Sequence, residues 1–385
     1  MRKIRVLIVD DAVVVRRIVG DVLAGDPELE VAGAAANGRI ALAKIPQVNP
    51  DIVTLDAEMP EMDGLETLAA IRKSYPRLPV IMFSTQTERG AAVTLDALAL
   101  GANDYVTKPA NVGSVAVAIQ RIREQLIPKL KLLCGRAADA ETGLPQAVST
   151  RTRASRPSPA PPRSADRARA EGRKAKARIE IVAVGASTGG PNALAELLPI
   201  FPADFPVPIV IVQHMPPVFT RMLAERLTSQ CQVPVSEGVC GGRLGPGRVW
   251  VAPGDYHMTV ARDVLGGRLR LNQEPPENSC RPSVDVLFRS VADSYGPNSL
   301  VVVLTGMGQD GLRGCEAVHE VGGQILAQDE ASSVVWGMPG FVVRASLADR
   351  VLPLDQIGQE IVWRVRRGMF LVAESGSAER RQLWP

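Results

Sequence analysis

Residues 4–11 read IRVLIVDD, an almost unbroken apolar run that ends in two acids. That is the pattern of a parallel strand buried on both faces, with polar groups gathered at its carboxyl end. Working outward, a helical pattern runs through Val22 and an apolar LEVAGAA follows at 29–35. A helix is expected around 38–46, then a strand, DIVTLD, that ends at Asp56. The loop EMPEMDG leads to a helix from about Leu65, and PVIMFST (79–85) and DYVTKP (104–109) read as the fourth and fifth strands. Five βα units in about 125 residues predict an α/β domain with a doubly wound parallel sheet.

The pattern breaks at 135–178, which lacks periodic apolar positions and contains RTRASRPSPAPPRSADRARAEGRKAKAR. It reads as a flexible linker. Its eleven Arg or Lys against four Asp or Glu exceed the whole chain's net charge of +3 and leave the remainder at −4. The basicity thus belongs to the tether and argues for no nucleic-acid-binding fold. A second alternating series starts at Ile179, with strands expected at 179–186, 207–213, 247–252, 299–304 and 323–328. Helices are expected near 191–199, 217–229, 282–295 and 311–321. The division expected is 1–134 for the first domain, 135–178 for the linker, 179–370 for a second doubly wound α/β domain and 371–385 for a tail.

At 385 residues there is length for two domains, each with its own core. No apolar run reaches a membrane span, and strand-like sequence from Ile4 leaves no room for a signal peptide. Cys134, Cys231, Cys240, Cys280 and Cys315 are odd in number and lack C-x-x-C spacing. That argues against a disulfide framework and a zinc site, and fits a reducing cytoplasm.

Functional groups in an open parallel sheet collect beyond the carboxyl ends of the strands. Asp10 and Asp11 end strand one, Asp56 ends strand three, Ser84 ends strand four and Lys108 follows strand five. Three carboxylates brought together need a cation, and oxygen donors of this kind suit Mg²⁺. With VDD, LDAEMPEMDG and YVTKP in place, residues 4–125 resemble a response-regulator receiver domain, whose fold is flavodoxin-like. The resemblance implies Asp56 as phospho-acceptor, Asp10, Asp11 and Asp56 around Mg²⁺, Lys108 and Ser84 sensing phosphate, and Tyr105 as the aromatic that rearranges.

In the second half, IEIVAVGA runs into Ser187 within GASTGG, a G-x-S-x-G turn from strand to helix. A phosphate-cradling loop is the competitor, but there is no Walker lysine and no G-x-G-x-x-G spacing. Of three histidines, His319 falls inside a helix and His257 lies in APGDYHM, where cleft and surface are both open. His214 follows PVPIVIVQ and tops a strand of the same sheet, as Asp310 does after SLVVVL. Adjacent strand ends bring a base within reach of the serine and an acid within reach of the base.

GASTGGP, QHMPPVFT, WVAPGDYHM, RPSVDVLF and LTGMGQDG make residues 179–365 similar to the chemotaxis-type protein-glutamate methylesterases, whose catalytic fold is Rossmann-like. The resemblance implies hydrolysis of glutamate γ-methyl esters on methyl-accepting chemoreceptors, with glutamine deamidation at the same site. A chemotaxis histidine kinase would be the phosphodonor, the location cytoplasmic, and no cofactor would serve the ester step. Ser187, His214 and Asp310 would form the triad, with Thr188, Gly189 and Met307 at the oxyanion. Cys280, before Arg281-Pro282-Ser283, stands where that family often has histidine. The competing expectation is a non-catalytic signalling protein that uses the second domain for docking.

Overall fold

The strands of the first half are apolar on both sides because helices cover both faces of their sheet. In the computed structural model, which describes residues 2–108, 115–135, 178–264 and 266–381, these strands are β1 (Ile4–Val9), β2 (Leu29–Ala35), β3 (Ile52–Asp56), β4 (Val80–Ser84) and β5 (Asp104–Thr107). They are all parallel, in the order β2-β1-β3-β4-β5. Every residue of β3 and β4 is buried. The helices are α1 (Val13–Ala24), α2 (Gly38–Val48), α3 (Gly64–Ser74), α4 (Glu88–Ala99) and α5 (Val115–Leu133). Polar residues just past the strands start them: Asn37 accepts from Ile40 N, Asp63 forms a capping box with Glu66, and Thr87 accepts from Gly90 N.

The second sheet has seven parallel strands in the order β15-β14-β13-β6-β7-β10-β8. Along the chain come β6 (Ile181–Ala186), α6 (Gly190–Leu197), β7 (Ile209–Gln213), α7 (Phe219–Gln230), β8 (Val235–Glu237), β9 (Arg243–Leu244) and β10 (Val249–Val251). Then follow β11 (His257–Asp263), β12 (Gly266–Asn272), α8 (Val284–Tyr295), β13 (Ser299–Val303), α9 (Leu312–Glu320) and β14 (Gln324–Gln328). Helix α10 (Met338–Arg344), β15 (Arg350–Leu352) and α11 (Leu354–Arg381) complete the chain. The chain winds from β6 towards β7 on one side and returns to β13 on the other. The winding therefore reverses beside β6, and the crevice for a site lies at its carboxyl end.

Two doubly wound parallel sheets are thus the architecture expected from sequence. The three-stranded antiparallel sheet β11-β12-β9 is an addition to it. Asp10 and Asp11 lie just beyond β1 rather than inside it, and α11 runs past residue 370. The stretch 136–177, within the expected tether, lies outside the described residues. No helix among the described residues is long and apolar enough to cross a membrane.

The two halves touch. Leu95 and Leu98 of α4 and Tyr105 of β5 share an apolar cluster with Phe219 and Leu223 of α7. The Tyr105 and Phe219 rings stack 5.0 Å apart with their planes 5° from parallel.

Candidate active site

Two groups of polar side chains lie at the carboxyl ends of the two sheets. In the first, Asp10 and Asp56 are buried and Asp11 is exposed, with carboxylate oxygens within 4.8 Å of one another. Lys108 Nζ lies 2.9 Å from Asp10 Oδ2 and 2.7 Å from Asp56 Oδ2, and neither oxygen has another partner among the described residues. Burial pushes the Asp56 carboxyl up to about 6, Lys108 works against that, and the Asp10 charge adds to it. Two buried acids with one lysine between them are short of positive charge. Ser84 Oγ donates to Gly90 O in the first turn of α4 at 3.0 Å. Tyr105 is buried and carries the stacking contact with Phe219.

In the second group, Ala186 and Gln213 are paired across β6 and β7, so Ser187 and His214 are the next residues on adjacent strand ends. The buried Gln213 side chain ties them together, its Nε2 donating to Ser187 O at 2.9 Å and His214 O at 3.3 Å. Ser187 N donates to Thr305 O, and Thr305 Oγ1 donates to Thr188 O. A Cβ on Gly306 would stand 2.8 Å from Ser187 Cβ, which places the Gly306-Met307 loop directly against the serine. Gly189 has φ 79° and begins α6. A side chain there would be strained and would meet Val334 at 2.7 Å. The helix start after Ser187 directs N–H groups and the positive end of the dipole at the loop.

His214 Nε2 lies 2.8 Å from Asp310 Oδ2. An ionised carboxylate only accepts, so Nε2 carries a hydrogen and Nδ1 is the nitrogen turned away from Asp310. Asp310 also accepts from Val284 N, Asp285 N, Gly311 N, Ser283 Oγ and Asn278 Nδ2. Burial opposes its charge, but the bond and charge of His214 and the N–H groups of Val284 and Asp285 outweigh burial. They hold Asp310 well below the usual carboxylate range.

Sequence reasoning gave no role at His214 to Cys280, whose Sγ is 3.6 Å from His214 Nδ1. Sixty-six positions separate the two residues, and no local signal joins them. Burial pulls the imidazole down, but its contacts with Cys280 and Asp310 more than offset that, and His214 is pushed up to about 10. A protonated imidazole takes no proton from serine. Removing the sulfur with Cys280→Ala is therefore expected to move the acidic limb of the pH–rate profile to lower pH. An unchanged limb would mean that Cys280 does not set the base's availability.

The other histidines stand apart from this centre. His257 is buried, with Nδ1 accepting from Ser283 N and Nε2 near Pro275 O, so it braces the loop before α8. His319 is exposed on α9. Thr188 is engaged across the halves: its Oγ1 donates to Asp104 Oδ2 at 2.7 Å in a buried bond, and Lys129 Nζ is 2.9 Å from the same oxygen.

A receiver-type sheet with an acidic end, joined to a parallel α/β domain with serine, histidine and aspartate at its switch point, defines a response regulator with an enzymatic output. Residues 6–120 match the response regulator receiver domain, and residues 182–361 match the CheB methylesterase family. The protein-glutamate methylesterase/protein-glutamine glutaminase of Trichodesmium erythraeum (strain IMS101) is 55% identical over 367 residues, covering 95% of this chain and 100% of that relative. The protein of the same name from Nocardioides sp. (strain ATCC BAA-499 / JS614) is 51% identical over 369 residues, 95% of this chain and 97% of its own. The crystal structure of the Thermotoga maritima CheB methylesterase catalytic domain shares 40% identity over 48% of this chain and 97% of that one, with a TM-score of 0.47. The chain belongs to the CheB methylesterase family.

Proposed function

We propose that this enzyme hydrolyses glutamate γ-methyl esters on methyl-accepting chemoreceptors, and deamidates receptor glutamines at the same site. In this reading the receiver restrains it, in the cytoplasm, until a chemotaxis histidine kinase phosphorylates Asp56. The observation that carries the chemistry is the placement of Ser187, His214 and Asp310 beyond β6, β7 and β13, with Asp310 holding His214 by Nε2. Ser187 Oγ attacks the ester carbonyl while His214 Nδ1 takes its proton. N–H groups of the Thr188-Gly189 turn and of Met307 face the developing oxyanion. His214 returns the proton to the leaving methoxide, and water then releases the glutamate carboxylate by the same route. For a glutamine side chain the leaving group is ammonia. General base catalysis contributes roughly 10²–10⁴-fold, and each oxyanion donor about 2.7–4 kcal/mol.

In the receiver, Asp10, Asp11 and Asp56 would hold Mg²⁺, for which the two buried oxygens served only by Lys108 are suited. When bound, Mg²⁺ neutralises phosphoryl oxygens during transfer. The chain's own part is a shift of contacts. Ser84 Oγ leaves Gly90 O for the phosphoryl group, and Lys108 pairs with its oxygens. Helix α4 then loses that tie at Gly90, and α4 supplies Leu98 O to Asn192 Nδ2, and Glu88 and Asp96 to Arg221 and Arg226. Asp56→Asn is expected to keep the basal rate of methanol release and to abolish its increase with a small-molecule phosphodonor. An increase that survives the substitution would remove Asp56 from the control.

A further inference from the structure

We propose that Cys280 Sγ and His214 Nδ1 form a binding site for a thiolate-seeking divalent cation of the zinc class, and that its occupancy stops ester hydrolysis. The inhibitory half rests on the catalytic role proposed for His214; the binding half does not. Zinc takes sulfur at about 2.3 Å and imidazole nitrogen at about 2.0–2.1 Å with tetrahedral angles, which sets the two donors about 3.6 Å apart. The observed Sγ to Nδ1 separation is 3.6 Å. The donor atoms of His214, Cys280 and Asp310 all lie within 4.8 Å of one another.

Asp310 supplies the support that such a site needs. A metal-bound histidine commonly donates its other N–H to a carboxylate, which fixes the tautomer and the ring orientation. Here Nε2 meets Asp310 Oδ2 at 2.8 Å, and Nδ1 faces the sulfur.

Cys280 does not reach His214 by chance of a loose loop. Glu277 and Cys280 exchange backbone hydrogen bonds of 3.1 and 2.9 Å around a tight turn. Its two central residues, Asn278 and Ser279, have φ of 51° and 61°. Non-glycine residues hold that backbone only where the surroundings enforce it. Asn278 Nδ2 donates to Asp285 and Asp310, and Arg289 grips Glu277 with two hydrogen bonds. The turn therefore aims the thiol at Nδ1 while its neighbour braces the carboxylate behind the ring.

Sulfur and imidazole favour zinc over the oxygen-seeking Mg²⁺ of the receiver. Binding releases the thiol proton, and the proton that a charged imidazole carries on Nδ1, to solvent as the metal–sulfur and metal–nitrogen bonds form. Water would fill the remaining positions. Once Nδ1 is on a metal it has no lone pair for the Ser187 proton, so turnover stops until the metal is removed. The spacing of cysteines argued against zinc because it tests neighbours in sequence, whereas this pair is made by the fold.

Cobalt titration of the metal-stripped full chain tests the site without reference to activity. A near-ultraviolet thiolate-to-cobalt charge-transfer band is expected in the wild type and in a Cys240→Ser control, and its loss is expected in Cys280→Ser. Cobalt on the receiver's carboxylates produces no such band. Zinc should displace the band and lower methanol release by roughly 10²–10⁴-fold, the contribution of general base catalysis, reversibly with chelator. Circular dichroism establishes that Cys280→Ser is folded. A band that persists in folded Cys280→Ser overturns the site. Unchanged methanol release with the zinc bound overturns the inhibition alone, and loss of methanol release in Ser187→Ala tests the catalytic reading separately.

Discussion

Ser187→Ala is expected to lower methanol release from methylated receptor by roughly 10⁴–10⁶-fold, the range over which triad members act as a unit. The residual rate belongs to the N–H groups around the oxyanion and to binding, which the substitution leaves in place. The fold should survive, because Ser187 is held through its backbone: N–H to Thr305 O and C=O from Gln213 Nε2. An alanine keeps both bonds. A variant that still released methanol at the wild-type rate would move the nucleophile elsewhere, and Cys280, beside the same imidazole, would be the group to examine next.

The isolated fragment 179–385 is expected to turn over faster than the unphosphorylated full chain, by about 5–150-fold, the usual span of a coupling free energy between sites. The contacts across the halves differ in weight. Arg221–Glu88 and Arg226–Asp96 are pairs with exposed acids, which water and salt screen, so they contribute little. The Thr188–Asp104 bond is buried and charge-assisted, worth about 1.5–3 kcal/mol, and it holds the residue that follows the nucleophile. The Tyr105–Phe219 stack lies one residue further along β5. Asp104→Asn in the full chain should therefore reproduce part of the fragment's gain, whereas Glu88→Gln should change little. A fragment no faster than the whole chain would mean that the receiver does not restrain the site.

Much of this architecture could be read from residues 4–11 and 179–190, because strands buried on both faces announce themselves as apolar runs ended by polar groups. Helices that begin with Asn37, Asp63 and Thr87 carry their own start signals. Strands β11 and β12 were less legible, since they are partly exposed and held by antiparallel pairing with each other rather than by a buried run. The three-residue strands β8 and β15 are too short for any period to show. At the site, Ser187 and His214 could be singled out because each directly follows a strand, whereas Asp310 lies seven residues beyond the end of β13, in the loop that leads to α9. The Asn278 and Cys280 contacts could not, since a tight turn of two left-handed residues brings them there. Asp104 read as the start of a strand, and only the packing of one half on the other gives it Thr188 as a partner.

Control by access to Ser187 is tested most directly by the rate at which a serine-reactive fluorophosphonate labels Ser187 in the full chain, with and without a phosphodonor. Labelling should accelerate with the phosphodonor in the wild type, remain slow in Asp56→Asn, and proceed at the accelerated rate in the 179–385 fragment without any phosphodonor. Equal labelling rates in the phosphorylated and unphosphorylated wild type, alongside a rise in methanol release, would contradict the account.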